Sequence, residues 1–331
     1  GWKYGVDLSA RDSASIGGTI ATNAGGSQVL RYGNTRRQIL GLEAVTGTGE
    51  IVGDLRGLIK DNTGYHLPSL LCGSEGTLAV VTKAKLRLVS APEEEISILL
   101  GFQSLKEAIG FVELAKKYLY DMQACEMFFQ NGLSLVCDQF NLEPPLASSS
   151  NVYLIIDAAG QAGVIDRISK SPLGDVLELS TSIAFGTDSS SRKKIWRYRE
   201  LHTEAISSIG VPHKLDVTIP HAQLHNFCSN VQEVVNLVDS DTQLFLFGHA
   251  GDGNIHVNIL GPESENLIVD ESVLNFVASI GGSISAEHGI GRAKAKYLHL
   301  NRTETEIQLF KKIKAVFDPA GILNPGAIIN N

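Results

Sequence analysis

Apolar residues recur along this chain in two rhythms. Alternation at every second residue and short apolar runs predict strands at 42–47 (LEAVTG), 77–89 (TLAVVTKAKLRLV), 96–102 (ISILLGF), 152–157 (VYLIID), 214–220 (KLDVTIP), 243–249 (QLFLFGH) and 255–260 (IHVNIL). The last two are close enough to pair as a hairpin across AGDGN. Apolar positions at helical spacing predict a helix opened by Ser104, with Glu107 completing an S-x-x-E capping pattern and Leu105, Ile109, Val112 and Leu119 forming its buried face. A second helix is predicted over 189–210, with a polar start and a glycine stop, and a third from Thr303, paired with Glu306, to the proline- and glycine-rich DPAGILNPG at 318–326. The polar tract NLEPPLASSSN (141–151) reads as a loop.

The texture changes at SAPEEE (90–95). Before it the chain is dense in glycine and β-formers. After it strands and helices mix, in an order that predicts an antiparallel sheet with helices on one face. The fold class read from this is α+β. The 331 residues are enough for two domains. Hydrophobic (43%) and charged (19%) shares are those of an ordinary folded chain, and a net charge of −8 without a basic run argues against a general nucleic-acid binder. The four cysteines are widely spaced, which argues against a cysteine zinc site or an iron–sulfur cluster. No apolar run approaches membrane-span length, so the expectation is a protein without a membrane span.

Three stretches could carry chemistry. The first is GHAGDGNIHVN (248–258). Its glycine-rich bend lets two adjacent strands present His249 and His256 to one point, and period-two alternation puts His256 and Asn258 on one face of their strand. Downstream, ISAEHGIGR (284–292) sets Glu287 beside His288. Two imidazoles and a carboxylate make a catalytic zinc set with positions left open, and manganese or iron would accept the same atoms; a hairpin with surface histidines would also contain these residues. The second is SIGGTIATNAGG (15–26) with GSEGTL (73–78), where closely spaced glycines either leave backbone N–H groups open to phosphate oxygens or simply form tight turns. It is not the G-x-G-x-x-G pattern. The third is WRYRELHTEA (196–205) followed by VPHKLD (211–216). Arg199 and Thr203, four apart, would share a helix face, and Lys214 could converge on them as a carboxylate clamp; a solvated helix face is the alternative.

Taken in order, SIGGTIATNAGG, RYGNTRRQILGLEAVTGTGEIV, KDNTGYHLPSLLCGSEGTL, FGHAGDGNIHVN, SAEHGIGR and FDPAGILNPG make the whole chain resemble the C-terminal two-thirds of the FAD-linked 2-hydroxyacid dehydrogenases of the vanillyl-alcohol-oxidase (PCMH-type FAD) superfamily. WRYRELHTEAISSIGVPHKLDVTIP is most similar to the 2-hydroxyglutarate dehydrogenase branch, beside lactate dehydrogenases and the glycolate oxidase flavin subunit. The resemblance implies the second half of an FAD-binding domain (1–92), an antiparallel-sheet substrate domain (93–290) and a helical segment returning to the FAD domain (291–331), with the first half of the FAD domain upstream of this chain. It implies that FAD lies along Ile16, Gly17, Gly18, Thr22, Asn23, Gly25, Gly26, Ser74, Glu75, Gly76 and Asn324. It implies His249, His256 and Glu287 as ligands of a divalent metal, usually zinc; Arg199, Thr203, Lys214 and Asn258 as substrate contacts; and His288 as the base. Ala327 stands where the family commonly has lysine after NPG, which removes one charge from the cofactor side.

The expected activity is oxidation of a D-2-hydroxy acid of the 2-hydroxyglutarate or lactate type to the 2-oxo acid. Electrons would pass to an electron-transfer flavoprotein, a quinone or a cytochrome. A cytoplasmic or mitochondrial-matrix location and a homodimer accompany this expectation. An oxygen-using oxidase of the glycolate type, or a chain that binds metal and hydroxy acid without turnover, are the alternatives.

Overall fold

The computed structural model describes residues 1–179 and 182–329. The chain divides into two units, one formed by residues 1–91 with residues from 285 onward, the other by Pro92–Ile284.

The first unit opens with β1 (Trp2–Tyr4), followed by α1 (Ile16–Thr22), α2 (Val29–Tyr32), α3 (Thr35–Gln38), β2 (Ile39–Thr46), β3 (Ile51–Asp54), α4 (Leu67–Leu71), β4 (Ala79–Leu86) and β5 (Leu88–Ser90). Strands β3, β2 and β4 form an antiparallel sheet in that order, and β1 pairs with β5. The glycine-rich 15–26 stretch is not an open loop. Its first part is a helix, because Ser15 Oγ accepts from Gly18 N and caps it. The left-handed Asn23 (φ 51°) then ends the helix. The core gathers Ile20, Leu42, Ala44, Leu71 and Leu78.

The second unit is built on β6 (Glu94–Phe102), α5 (Leu105–Tyr118), β7 (Met122–Phe129), α6 (Gln130–Phe140), β8 (Val152–Gly160), α7 (Val164–Ser169), α8 (Pro172–Leu179), β9 (Ile183–Gly186), α9 (Ser189–Glu200), α10 (His202–Ile209), β10 (His213–Thr218), α11 (Leu224–Asn236), β11 (Gln243–His249), β12 (Asn254–Leu260) and α12 (Ile268–Ser279). Its seven strands form one sheet, ordered β10-β12-β11-β7-β8-β6-β9, with every neighbouring pair antiparallel. Ser104 caps α5 through Glu107 N, as its spacing predicts.

Helices cover both faces of this sheet, not one. Leu99, Phe128, Tyr153 and Phe247 pack with Leu133, Ile195 and Ile206 from α6, α9 and α10. Their neighbours Ile98, Leu100, Leu154 and Met127, which alternation turns to the opposite face, are equally buried. That second face belongs to α5, whose Ala108, Val112 and Ala115 are buried, with α11 packed on α5 and α12 on α11. Strand β8 is buried at all nine positions and shows no alternation; its one charged residue, Asp157, accepts a hydrogen bond from Ser97 Oγ.

The predicted helix at 189–210 is two helices. Leu201 stands between them with ψ −7°, and no proline or glycine marks the break. Gly132 on α6 lies against the second of them: a Cβ there would stand 2.7 Å from His202 Cδ2 and Nε2. Gly132→Ala is expected to destabilise the protein by about 1–3 kcal/mol through overpacking, which urea unfolding would read as a lower midpoint with an unchanged slope.

The chain returns to the first unit with α13 (Glu304–Phe317), whose Thr303–Glu306 capping box has both bonds in place. Ile313 and Phe317 pack on the Leu42 core. Asp318 closes the helix by accepting from Ile322 N (3.1 Å), Leu323 N (2.8 Å) and Lys314 Nζ (2.6 Å). No helix among the described residues is long and apolar enough to cross a membrane.

Candidate active site

Strand register decides what meets on the α9/α10 face of the second unit. On β12, Asn254, His256 and Asn258 share that face, while Ile255, Val257 and Ile259 point to the other. Across β10 their partners are Thr218, Asp216 and Lys214; across β11 they are His249, Phe247 and Phe245. On β7, Glu126 stands opposite His249 and Phe128 opposite Phe247. A polar row therefore crosses the β10-β12-β11-β7 end of the sheet.

The two histidine rings lie 5.6 Å apart, edge to face. Each directs Nδ1 at a carboxylate: His249 at Glu126 Oε1 (2.5 Å) and His256 at Asp216 Oδ1 (3.4 Å). Asp216 also accepts from Asn254 Nδ2 at 2.7 Å. Arg199, at the end of α9, donates Nε to Glu126 Oε2 at 2.7 Å, and its guanidinium lies 4.5 Å from the centre of the Phe247 ring. Lys214 is exposed on β10 and donates to Ser207 Oγ at 3.2 Å; Asn258 is buried. Thr203 is exposed and lies beyond the Leu201 break, so it does not continue the helix that carries the buried Arg199.

Electrostatics follow from this burial. Burial alone would push the Glu126 carboxyl up, but the attraction of His249 and Arg199 beside it outweighs that and holds it below the usual carboxylate range. His256 is pushed down to about 3, by burial first and by the Arg199 charge next, with Asp216 opposing. Its imidazole is neutral at pH 7, the form that ligates metals. His202 is also pushed down to about 3, by burial and then by Arg199. It packs 5.1 Å from Phe128 and 5.2 Å from Phe247.

Glu126, Asp216 and His202 do not emerge from the sequence reading. Asp216 had a signal, since period two in KLDVT puts it on the face of Lys214. Glu126 had one as well, as the sole charge in the apolar run MQACEMFF.

The first unit brings three separated stretches together. Gly73 N and Glu75 N donate to Ile20 O (2.9 Å) and Ala21 O (2.7 Å) at the end of α1, and Asn324 Nδ2 donates to Glu75 O (2.7 Å). Of the residues expected along FAD, Ile16, Gly18 and Thr22 are exposed, and Asn23 is engaged by Arg36 N at 2.9 Å. Ser74, Gly25 and Gly26 are buried. Gly26 adopts φ 121°, and a Cβ on it would meet Asp7 O at 1.9 Å, so glycine is required there by packing. At Gly17 a Cβ would meet nothing within 4 Å among the described residues. A helical glycine with no packing reason costs about 1 kcal/mol relative to alanine. That cost, beside the exposed Ile16, fits a surface kept flat for a ligand such as FAD. The Glu75 carboxylate holds Ile290 N and Gly291 N, each at 2.7 Å. This clamp shapes the turn that carries the half-buried Glu287 and the exposed His288.

The antiparallel sheet unit, the glycine-rich unit and the polar row define the class. Residues 91–328 match the model of the FAD linked oxidases, C-terminal domain, and residues 1–53 match the FAD binding domain. The chain belongs to the FAD-linked oxidases, a family of oxidoreductases. It is 33% identical over 339 residues to a D-2-hydroxyglutarate dehydrogenase of Stutzerimonas stutzeri (strain A1501), spanning 99% of this chain and 72% of that protein. It is 35% identical to a D-2-hydroxyglutarate dehydrogenase of Xanthomonas citri pv. viticola, spanning 99% and 71%. Among solved structures an alkyldihydroxyacetonephosphate synthase shares the fold, with a TM-score of 0.68 at 17% identity over 98% of this chain. The chain spans 60% of that synthase's length.

Proposed function

We propose that this chain oxidises a D-2-hydroxy acid of the 2-hydroxyglutarate type to the 2-oxo acid in an FAD-dependent reaction. The observation that carries the reading is the polar row, in which two carboxylate-backed imidazoles share a sheet face with Lys214 and Asn258, beside Arg199. The dehydrogenase relatives support the same substrate class.

The donor set fits a divalent metal. Both Nδ1 atoms face carboxylates, and a ligating histidine characteristically donates its other ring N–H to such a group. His249 and His256 would hold the metal together with Glu287, which the AEHG motif assigns as third ligand; zinc suits two imidazoles and one carboxylate. When bound, the metal supplies Lewis acidity that lowers the pKa of the substrate hydroxyl. Arg199 and Lys214 bind and orient the acid carboxylates, with Thr203 and Asn258 as further contacts, and this positioning carries much of the rate gain. His288 takes the hydroxyl proton as the general base. FAD, when bound along 16–26, 74–76 and Asn324, supplies the two-electron acceptor for the hydride leaving C2. Loss of that hydride and that proton leaves the 2-oxo acid.

The test is anaerobic mixing of the FAD- and zinc-loaded protein with D-2-hydroxyglutarate. The flavin absorption band is expected to bleach. In His249→Ala and His256→Ala bleaching should slow on the order of 100-fold or more, since Lewis-acid stabilisation contributes several kcal/mol, and bound zinc should fall. Flavin that stays oxidised with every D-2-hydroxy acid tried would overturn the substrate class. Histidine variants that bleach at the parent rate would overturn the metal.

A further inference from the structure

The Glu126 carboxylate is fully buried in the middle of the sheet, and both of its oxygens are engaged by groups of different assignment. Oε1 faces Nδ1 of His249, the proposed metal ligand, at 2.5 Å. Oε2 accepts from Nε of Arg199, the proposed carboxylate clamp, at 2.7 Å. We propose that Glu126 is the positioning residue for both ends of the substrate pocket: it fixes His249 as the Nδ1–H tautomer and holds Arg199 by its Nε so that the two Nη atoms form the edge offered to an acid. The inference rests on the metal and substrate reading above.

An ionised carboxylate only accepts, so two donors must face it. For His249 the donor is Nδ1–H, which leaves the ring lone pair on Nε2, the nitrogen directed away from Glu126. A neutral imidazole has no other way to satisfy that contact. For Arg199 the guanidinium has five N–H donors in a fixed fork. The structure pairs only Nε, and Nη1 and Nη2 have no hydrogen-bond partner among the described residues. Those two are the pair that binds a carboxylate side by side. Contact with the Phe247 face restrains the guanidinium plane from a second direction. One buried side chain thus removes the rotational and tautomeric freedom of two groups that belong to different elements, β11 and α9. Glutamine at this position cannot do the same. Its amide offers one acceptor and one donor group, so either His249 or Arg199 would meet an N–H.

The experiment compares the parent chain, Glu126→Gln and Gly132→Ala. Zinc affinity is read by competition with a chromophoric chelator, and dicarboxylate affinity by titrating the zinc-free protein with glutarate. Glu126→Gln is expected to weaken zinc by roughly 10–100-fold, the effect of removing the partner behind a ligating histidine. Glutarate should bind about tenfold more weakly, the effect expected when one charge-assisted hydrogen bond no longer holds the clamp in place. Gly132→Ala destabilises the same unit through the His202 ring, without direct contact with Glu126, His249 or Arg199, and should leave both affinities unchanged. Equal zinc and glutarate binding by Glu126→Gln and the parent would overturn the proposal, as would an equal loss in Gly132→Ala, which would mark the effect as general loosening. A parent chain that binds no zinc would overturn the metal reading and this one with it. If Glu126→Gln does not fold, nitrogen NMR of the parent decides: a proton on His249 Nδ1 supports the proposal, and a proton on Nε2 alone refutes it.

Discussion

Arg199→Met is expected to destabilise the second unit by about 3–5 kcal/mol, the usual consequence of removing one partner of a buried ion pair. Glu126 has 1% of its side-chain surface exposed and Arg199 10%, so water cannot replace the missing guanidinium. Methionine roughly keeps the volume and the contact with Phe247, which isolates the charge. The remaining carboxylate would have His249 as its nearest cation source. Two responses are open to it: protonation of Glu126, or a full positive charge on His249. Both move protons toward the folded state, so the variant should lose less stability at pH 5 than at pH 8. Urea unfolding at those two pH values measures it. A loss under 1 kcal/mol at both would show that the pair is no stronger than an exposed one.

The second large effect is on acid stability, and it comes from His202. Both ring nitrogens are buried, with no hydrogen-bond partner among the described residues, between the rings of Phe128 and Phe247. Burial, and then the Arg199 charge, push this imidazole down to about 3, against about 6.5 in the unfolded chain. Between these values the unfolded chain binds a proton that the folded chain does not. The stability is fully present above about pH 6.5 and falls as pH drops, by up to ~1.4 kcal/mol per pH unit. His256, also pushed down to about 3, acts with the same sign. Asp157 acts with the opposite sign: burial raises it to about 6, so it favours the folded state as pH falls through that value. The comparison must therefore be between variants. His202→Leu is expected to flatten the stability curve between pH 6 and pH 4 by about 1.4 kcal/mol per unit relative to the parent. Parallel curves for the two proteins would remove His202 as the source.

How far the sequence discloses the molecule depends on whether the determining contacts are local. The β11–β12 hairpin and its polar face follow from alternation in QLFLFGH and IHVNIL, because a strand's facing is set by its own residues. The Thr303 and Ser104 caps were legible for the same reason. Coverage of both sheet faces was not: β8 has no polar alternation to reveal, and one apolar run serves a one-sided or a two-sided sheet alike until the helices are placed. The break at Leu201 was hidden because no helix-breaking residue marks it. In the site, motif spacing could point to His249 and His256, which are seven residues apart. It could not reveal Glu126, which lies 123 positions before His249 and joins it only through the β7–β11 register.

The first unit is assembled from both ends of the chain, since Ile313 and Phe317 pack on the core around Leu42. A ribosome therefore releases all of the second unit before this helix of the first. At about 5–20 residues per second, the apolar surface of residues 20–79 waits roughly 10–45 s for that helix. During that interval this surface is open to non-native contacts.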